Sequence, residues 1–356
     1  MTLKLGEILY EDDLRREEEH KEREREKLGY MRAGNSGVKL SDGNIAGECP
    51  RLVLIRRMGL EKEPITRDRH VMFEGGYIHQ AAIAEKFRKM GLTVMEEGTS
   101  GEVRTSWLCD GVPVTGSIDI GVGKGKLEYV TDCKQVSSLW TARDILIEGH
   151  PKFVHLCQLG HYMMETGLPG KLIYASYVDF AVNDWAWKLL PLQGENEYSQ
   201  YLQYRPRTDK VVVPESHAER VRATGYKISC SPYKSGPRKG MNKLEANIHI
   251  PKKILPFREI YDVSYESDQI TYKRECDEKW QYAPITSEGI RLFYSYVLQL
   301  ERERDLGKRP LTLNSQGKPE NYNKCDYCPL QEICDECENN YDRWLNEVRK
   351  ICTSNQ

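Results

Sequence analysis

KLEYVTDCKQV, residues 126–136, alternates apolar and polar positions as a half-buried strand does. Asp132 and Lys134 are two apart and so project from one face, with Cys133 on the other. A carboxylate and an ammonium then share one cleft. Asp119 stands thirteen residues before Asp132, in VPVTGSIDIGV (112–122), a second strand-like run separated from the first by GKGK. A hairpin there brings the two carboxylates together. Carboxylates held close repel, and a divalent cation is the ordinary way to neutralise them. Such a cation lowers the pKa of a bound water and stabilises negative charge on a phosphorane, so the arrangement suits phosphodiester hydrolysis. Lys134, with an ordinary pKa of about 10.4, positions the water and stabilises charge rather than acting as a base.

Working outward, EVRTSWLC (102–109) is a further β-rich run set off by Asp110-Gly111, and three neighbouring strands of one sheet are expected. FEGGYIHQAAIAEKFRKM (73–90) reads as an amphipathic helix with Ile78, Ala82, Ile83 and Phe87 on its buried side and Gly91 at its end. On that helix His79 is placed to supply an imidazole ligand, which shifts preference from Mg²⁺ toward Mn²⁺. Pro151 precedes a second helix, KFVHLCQLGHYMMETG (152–167), where Gln158 and Tyr162 stand at i,i+4 on one face with His155. KLIYASYVDF (171–180) is another strand. The order helix, strands, helix, strand predicts an α/β sandwich around a mixed sheet. ECPRLVLIRRMGL (48–60) suits a short helix opened by Pro50, and residues 285–307 a long helix with Thr286 as its cap.

These ordered motifs resemble the RecB-like branch of the PD-(D/E)XK nucleases, including the AddB-type and CRISPR-adaptation iron–sulfur exonucleases. They are Gly75, Gly76 and His79 on a helix, Asp119 in GSID, Asp132 and Lys134 in DCK, then Gln158 and Tyr162. The resemblance covers most of 45–190 and 255–340. It implies a restriction-endonuclease-like mixed central sheet flanked by helices. It also implies Mg²⁺ or Mn²⁺ held by His79, Asp119, Asp132 and the Cys133 carbonyl, with Gln158 and Tyr162 completing the site. Deoxyribonuclease activity on single strands or DNA ends is the implied function, in recombination, repair, phage DNA metabolism or adaptation, with helicase, recombination or adaptation proteins as partners. A non-catalytic DNA-binding or assembly subunit that retains the fold is the alternative.

The chain has eleven cysteines, and KCDYCPLQEICDEC (324–337) holds four of them in C-x2-C-x5-C-x2-C spacing. Thiolates at such range indicate zinc or an iron–sulfur cluster. Zinc could be held locally by Cys325, Cys328, Cys334 and Cys337. The family resemblance implies instead a [4Fe-4S] cluster on Cys49, Cys325, Cys328 and Cys334, tying the two ends of the domain together and leaving Cys337 surplus.

The 356 residues, 39% hydrophobic and 30% charged, carry a formal net charge of only −2. That balance excludes a globally basic nucleic-acid coat, so any DNA contact must come from a local patch. The polar, Tyr-, Lys- and Gly-rich stretch 191–250 reads as an insertion or flexible loop, with Tyr233, Lys234, Arg238 and Lys239 as candidate DNA contacts. Residues 11–28 read as a solvated charged helix with Glu17/Lys21 and Glu19/Arg23 pairs. The expected organisation is therefore a charged N-terminal helix and linker (1–44), a nuclease domain (45–340, with its iron–sulfur tail at 320–340) and a short tail (341–356). Without a signal pattern or an apolar run approaching the roughly 18 residues of a membrane span, the expected location is cytoplasmic.

Overall fold

Apolar stripes on the helices and period-two alternation in the strands assemble an α/β architecture with several mixed sheets. The computed structural model describes residues 15, 29–60, 67–96, 101–195, 197–320, 324–328 and 330–354. Apart from Arg15, the charged helix expected at 11–28, with its Glu17/Lys21 and Glu19/Arg23 pairs, lies outside these residues. The chain falls into two compact units, one formed by Met1–Lys134, Pro151–Ile173 and Ile260–Gln356, the other by Gln135–His150 and Tyr174–Glu259.

In chain order the principal elements lying wholly or mostly in the first unit are α1 (Pro50–Arg57), α2 (Arg67–Lys89), β1 (Thr93–Glu96), β2 (Ile120–Gly123), β3 (Tyr129–Gln135), α3 (Phe153–Thr166), β4 (Gly170–Ser176), β5 (Phe257–Glu266), β6 (Gln269–Arg274), β7 (Gln281–Thr286) and α4 (Ser287–Glu303). The strands form one seven-stranded sheet in the order β7-β6-β5-β4-β3-β2-β1. Neighbours β1/β2, β2/β3, β5/β6 and β6/β7 are antiparallel. The bonds from Val130 N–H to the Pro169 carbonyl and from Val136 N–H to the Ala175 carbonyl advance in the same sense along both chains, so β3 and β4 run parallel. Helix ends follow local chemistry. Pro50 stands at the start of α1, Thr286 Oγ1 accepts the Gly289 N–H at 2.9 Å to cap α4, and Gly167 takes φ of +67° to close α3.

Two expectations are corrected. The three β-rich runs do not share one sheet. Arg104–Cys109 pairs with Val112–Ser117, and the latter with the short strand Met31–Arg32, in a separate three-stranded sheet. The run 112–122 breaks at Ile118-Asp119 and only then enters the large sheet as β2, so Asp119 sits at a crossover and not within a strand. On α2, Ile83 and Ala84 are buried against Ile120, Val122 and Ile173, with Phe87 partly buried beside them. Ile78 and Ala82 face outward, Ile78 being 65% exposed. The inward positions freed by this rotation go to His79 and Gln80, 1% and 7% exposed.

Between α3 and the three-stranded sheet lies His161, wholly buried among the rings of Trp107 (6.3 Å between centroids), Tyr162 (6.0 Å) and Tyr294 (5.8 Å). Neither ring nitrogen has a hydrogen-bond partner among the described residues. Burial, with the Arg291 guanidinium adding to it, pushes its pKa down to about 3. His161 is therefore neutral when folded and titrates near 6.5 when unfolded. Below pH ~6.5 the unfolded chain binds the extra proton, and stability falls by about 1.4 kcal/mol per pH unit until the folded value is reached. Denaturant unfolding at pH 7 and pH 5 should show this loss in the wild type and a smaller one in His161→Phe. Equal pH slopes in the two proteins would refute it.

In the second unit the stretch 191–250 is not loop alone. Asp209–Val213, Asn242–Ile248 and Ile228–Pro232 make an antiparallel sheet with the Asn242–Ile248 strand central, accompanied by the helix Glu215–Ala223. Leu202–Tyr204 and Phe180–Ala181 flank Pro251–Ile254 in a further small sheet. Alternating Val211, Val213, Leu244, Ala246 and Ile248 hold these strands, a period partly obscured by the lysines and glycines between them. No helix among the described residues is long and apolar enough to cross a membrane.

Candidate active site and cysteine cluster

On β3 the pleat sends Asp132 and Lys134 to one face, where the Asp132 side chain is fully buried and Lys134 Nζ lies 2.8 Å from its Oδ1. Cys133, on the opposite face, packs into the core cluster beneath α2. Asp119 arrives from the crossover before β2 and is held from two sides. Its Oδ2 accepts the Cys133 N–H at 2.8 Å, and its backbone carbonyl accepts Gln80 Nε2 at 2.8 Å. Both carboxylates therefore flank the same residue of β3. Gln80, which is not among the residues expected from the sequence, holds the backbone at Asp119. Its signal was a polar side chain on the core-facing stripe of α2, a place where a buried amide must find a partner.

Burial opposes charge on Lys134, but Asp132 and Asp119 outweigh it and hold its pKa above the ordinary lysine value. An ammonium so held donates protons poorly and accepts none, which leaves it positioning and charge-stabilising work. Its orientation is fixed by α3. Lys134 Nζ donates to Gln158 Oε1 at 3.1 Å, and Gln158 Nε2 donates to the Tyr162 hydroxyl at 3.2 Å. Tyr162 fits because residue 116 is glycine, where a Cβ would stand 2.7 Å from the ring and 2.5 Å from Ala33 Cβ.

The donor chemistry suits a divalent ion. Asp119 and Asp132 offer hard oxygens, and Oδ2 of Asp132 has no hydrogen-bond donor among the described residues although it is buried. Among the described residues no three His, Cys, Asp or Glu side chains are drawn together as a metal-holding group. His79 is thus buried on α2 next to Gln80 without being gathered with the two acids, and the fit rests on Asp119 and Asp132.

Cys325 lies on the turn Lys324–Tyr327, Cys334 on the helix Gln331–Glu336, and Cys328 donates its N–H to the Cys325 carbonyl at 3.0 Å. Burial raises the thiol pKa of both Cys325 and Cys328, and Cys334 raises each further. Cys334 thus lies within electrostatic reach of both Cys325 and Cys328. Cys49, the residue just before α1, has its thiol pushed up to about 11 by burial. Its neighbours reach the tail: Arg51 lowers Cys325 while Glu48 raises Cys328. Arg51 also donates to the carbonyls of Leu306 and Gly307, each at 2.9 Å, and the Leu311 N–H donates to the Ile45 carbonyl at 2.6 Å. Cys337 closes the same helix and is 1% exposed. Cys49 and the tail cysteines are likewise not drawn together as a metal-holding group among the described residues, so no ligand set for a cluster or for zinc is assembled here.

Of the candidate DNA contacts, Lys234, Arg238 and Lys239 are exposed in the second unit, whereas the Tyr233 ring is covered by Lys243 Nζ at 5.4 Å. Cys109 and Cys157 are buried, while Cys230 and Cys276 are exposed. Compared with models of protein families, with curated proteins and with solved structures, the chain matches none.

Proposed function

We propose that this chain is a divalent-metal-dependent deoxyribonuclease of the RecB-like PD-(D/E)XK kind, acting on single strands or DNA ends, with an iron–sulfur cluster as a structural tie. The supporting observation is the meeting of Asp119 and Asp132 around Cys133, with Lys134 ion-paired to Asp132 and steadied by Gln158. In this reading Asp119, Asp132 and the Cys133 carbonyl would hold Mg²⁺ or Mn²⁺, which would supply a water of lowered pKa and neutralise charge at the phosphate. Asp119 is kept in register by Gln80 and the Cys133 N–H. Lys134 stays protonated and places its charge against the phosphate oxygens while Gln158 and Tyr162 fix its direction. Partners in recombination or adaptation belong to the same proposal.

End-labelled single- and double-stranded oligonucleotides should shorten in Mn²⁺ and stay intact in EDTA. Blocking the 5′ or the 3′ end in turn should stop shortening from one side, giving polarity. DNA that is bound but remains whole in both Mg²⁺ and Mn²⁺ would favour the non-catalytic subunit instead.

A further inference from the structure

The second unit carries a charge pattern that the active site does not use. Strands Ile228–Pro232 and Asn242–Ile248 form a hairpin whose loop, 233–241, is folded by its own backbone. The Tyr233 N–H donates to the Met241 carbonyl (2.9 Å), Gly240 to Tyr233 (3.0 Å), Lys239 to Gly236 (3.1 Å) and Met241 to Arg238 (3.0 Å). Gly236 and Gly240 supply the left-handed turns, at φ +81° and +85°. At the base Glu245 is saturated, with Lys243 Nζ at 2.7 Å, Lys210 Nζ at 3.2 Å and the Ser231 hydroxyl at 2.5 Å.

Beyond that base no acid occurs from Tyr226 to Lys243, and Lys227, Lys234, Arg238 and Lys239 are exposed with no ion-pair partner among the described residues. Some other surface cations are matched, as in Arg88 with Glu96, Arg304 with Asp342 and Arg309 with Asp335, and others such as Lys124, Lys252 and Lys318 are not; the hairpin differs in gathering four such cations between Lys227 and Lys239 with no acid among them. A chain of net charge −2 thus concentrates uncompensated positive charge on the edge hairpin of a three-stranded sheet, whose tip is ordered and projects past the third strand. Such a cation-rich tip matches a polyanion of regular charge spacing. A membrane surface is the poorer fit, because Met241 is the one large apolar side chain exposed in the loop and the Tyr233 ring is already covered.

We propose that this hairpin is a sequence-independent docking site for the phosphate backbone of DNA, with Lys234, Arg238 and Lys239 as its phosphate contacts; the choice of DNA rests on the deoxyribonuclease reading.

The test uses full-length Asp132→Asn protein, so that hydrolysis cannot confuse binding, with and without Lys234→Gln, Arg238→Gln and Lys239→Gln together. Affinity for a fluorescent oligonucleotide is measured against salt. Losing three phosphate contacts should reduce the slope of log K against log[salt] by about 2 on a single strand and nearly 3 on a duplex. The unfolding midpoint should not move, since these side chains have no ion-pair partner to lose among the described residues. Unchanged affinity and slope would overturn the proposal whatever the nuclease assay shows, as would capture of the protein by phosphatidylserine vesicles but not by DNA. A reduced slope in a protein whose wild type never cuts DNA would sustain the docking site and sink the nuclease reading alone.

Discussion

Asp132→Asn is expected to slow DNA hydrolysis by at least about 10²–10³-fold, the cost of removing one preorganised electrostatic contact to the reacting centre, without lowering stability. The carboxylate is fully buried, with one oxygen against Lys134 and the other without a donor. Burying such a charge costs free energy that folding alone does not need, and asparagine has the same shape without the charge. Lys134 would still have Asp119 near it and Gln158 to donate to. Lys134→Ala has the opposite signature. It leaves Asp132 buried without its cation, a loss of about 3–5 kcal/mol for a broken buried pair. A metal that binds only the folded state recovers stability in proportion to its affinity, and removing the ammonium from beside the two carboxylates raises that affinity. Mn²⁺ should therefore raise the melting temperature of Lys134→Ala more than that of the wild type. Thermal unfolding with and without Mn²⁺, beside the hydrolysis assay, measures both effects. An active Asp132→Asn, or a Lys134→Ala protein indifferent to Mn²⁺, would refute the assignment.

The sequence shows the local parts of this site more clearly than its long-range pairing. Asp132, Cys133 and Lys134 alternate on β3 because a strand has a period of two, and Gln158 and Tyr162 meet because a helix brings i and i+4 together. Terminators are equally local: Gly167 and Thr286 act where they stand. The crossover at Asp119 is different. Ile118 and Ile120 are both buried, so the alternation runs through the break unchanged, and only the pairing of Val112–Ser117 with Met31–Arg32 reveals a second sheet. That partner is two residues long and some eighty residues away, far too short to carry a period. The facing of α2 was misread for a related reason. Tyr77, Ile78, Ala81 and Ala82 are exposed, so apolar residues lie on both sides of the helix and hydropathy alone does not choose between them. The choice is made by Gln80, whose amide reaches the Asp119 carbonyl.

Cys49→Ser is the variant expected to change the protein's composition most. Purified without oxygen, the wild type should be brown, with about four irons per chain as a [4Fe-4S] cluster requires, and the variant should lose its colour and most of its iron. Cys337→Ser should keep both. The distinction rests on packing: Glu48 and Arg51, on either side of Cys49, are within electrostatic reach of Cys328 and Cys325, and Arg51 is bonded to the segment leading into the tail. Cys337 instead has a buried place at the end of its helix. A ligand set joining Cys49 to Cys325 would close a loop of nearly the whole domain. By the chain-entropy argument used for disulfides, a closure of that length stabilises by on the order of 5 kcal/mol. Loss of the cluster should therefore lower the melting temperature of the whole chain, and Cys49→Ser should reproduce that loss without any chelator. Colourless wild type with one tightly held zinc that survives Cys49→Ser and is lost in Cys337→Ser would show the four tail thiols to be the ligands. The tie between the two ends of the domain would then fall, and the nuclease assignment, which depends on Asp119, Asp132 and Lys134, would be untouched.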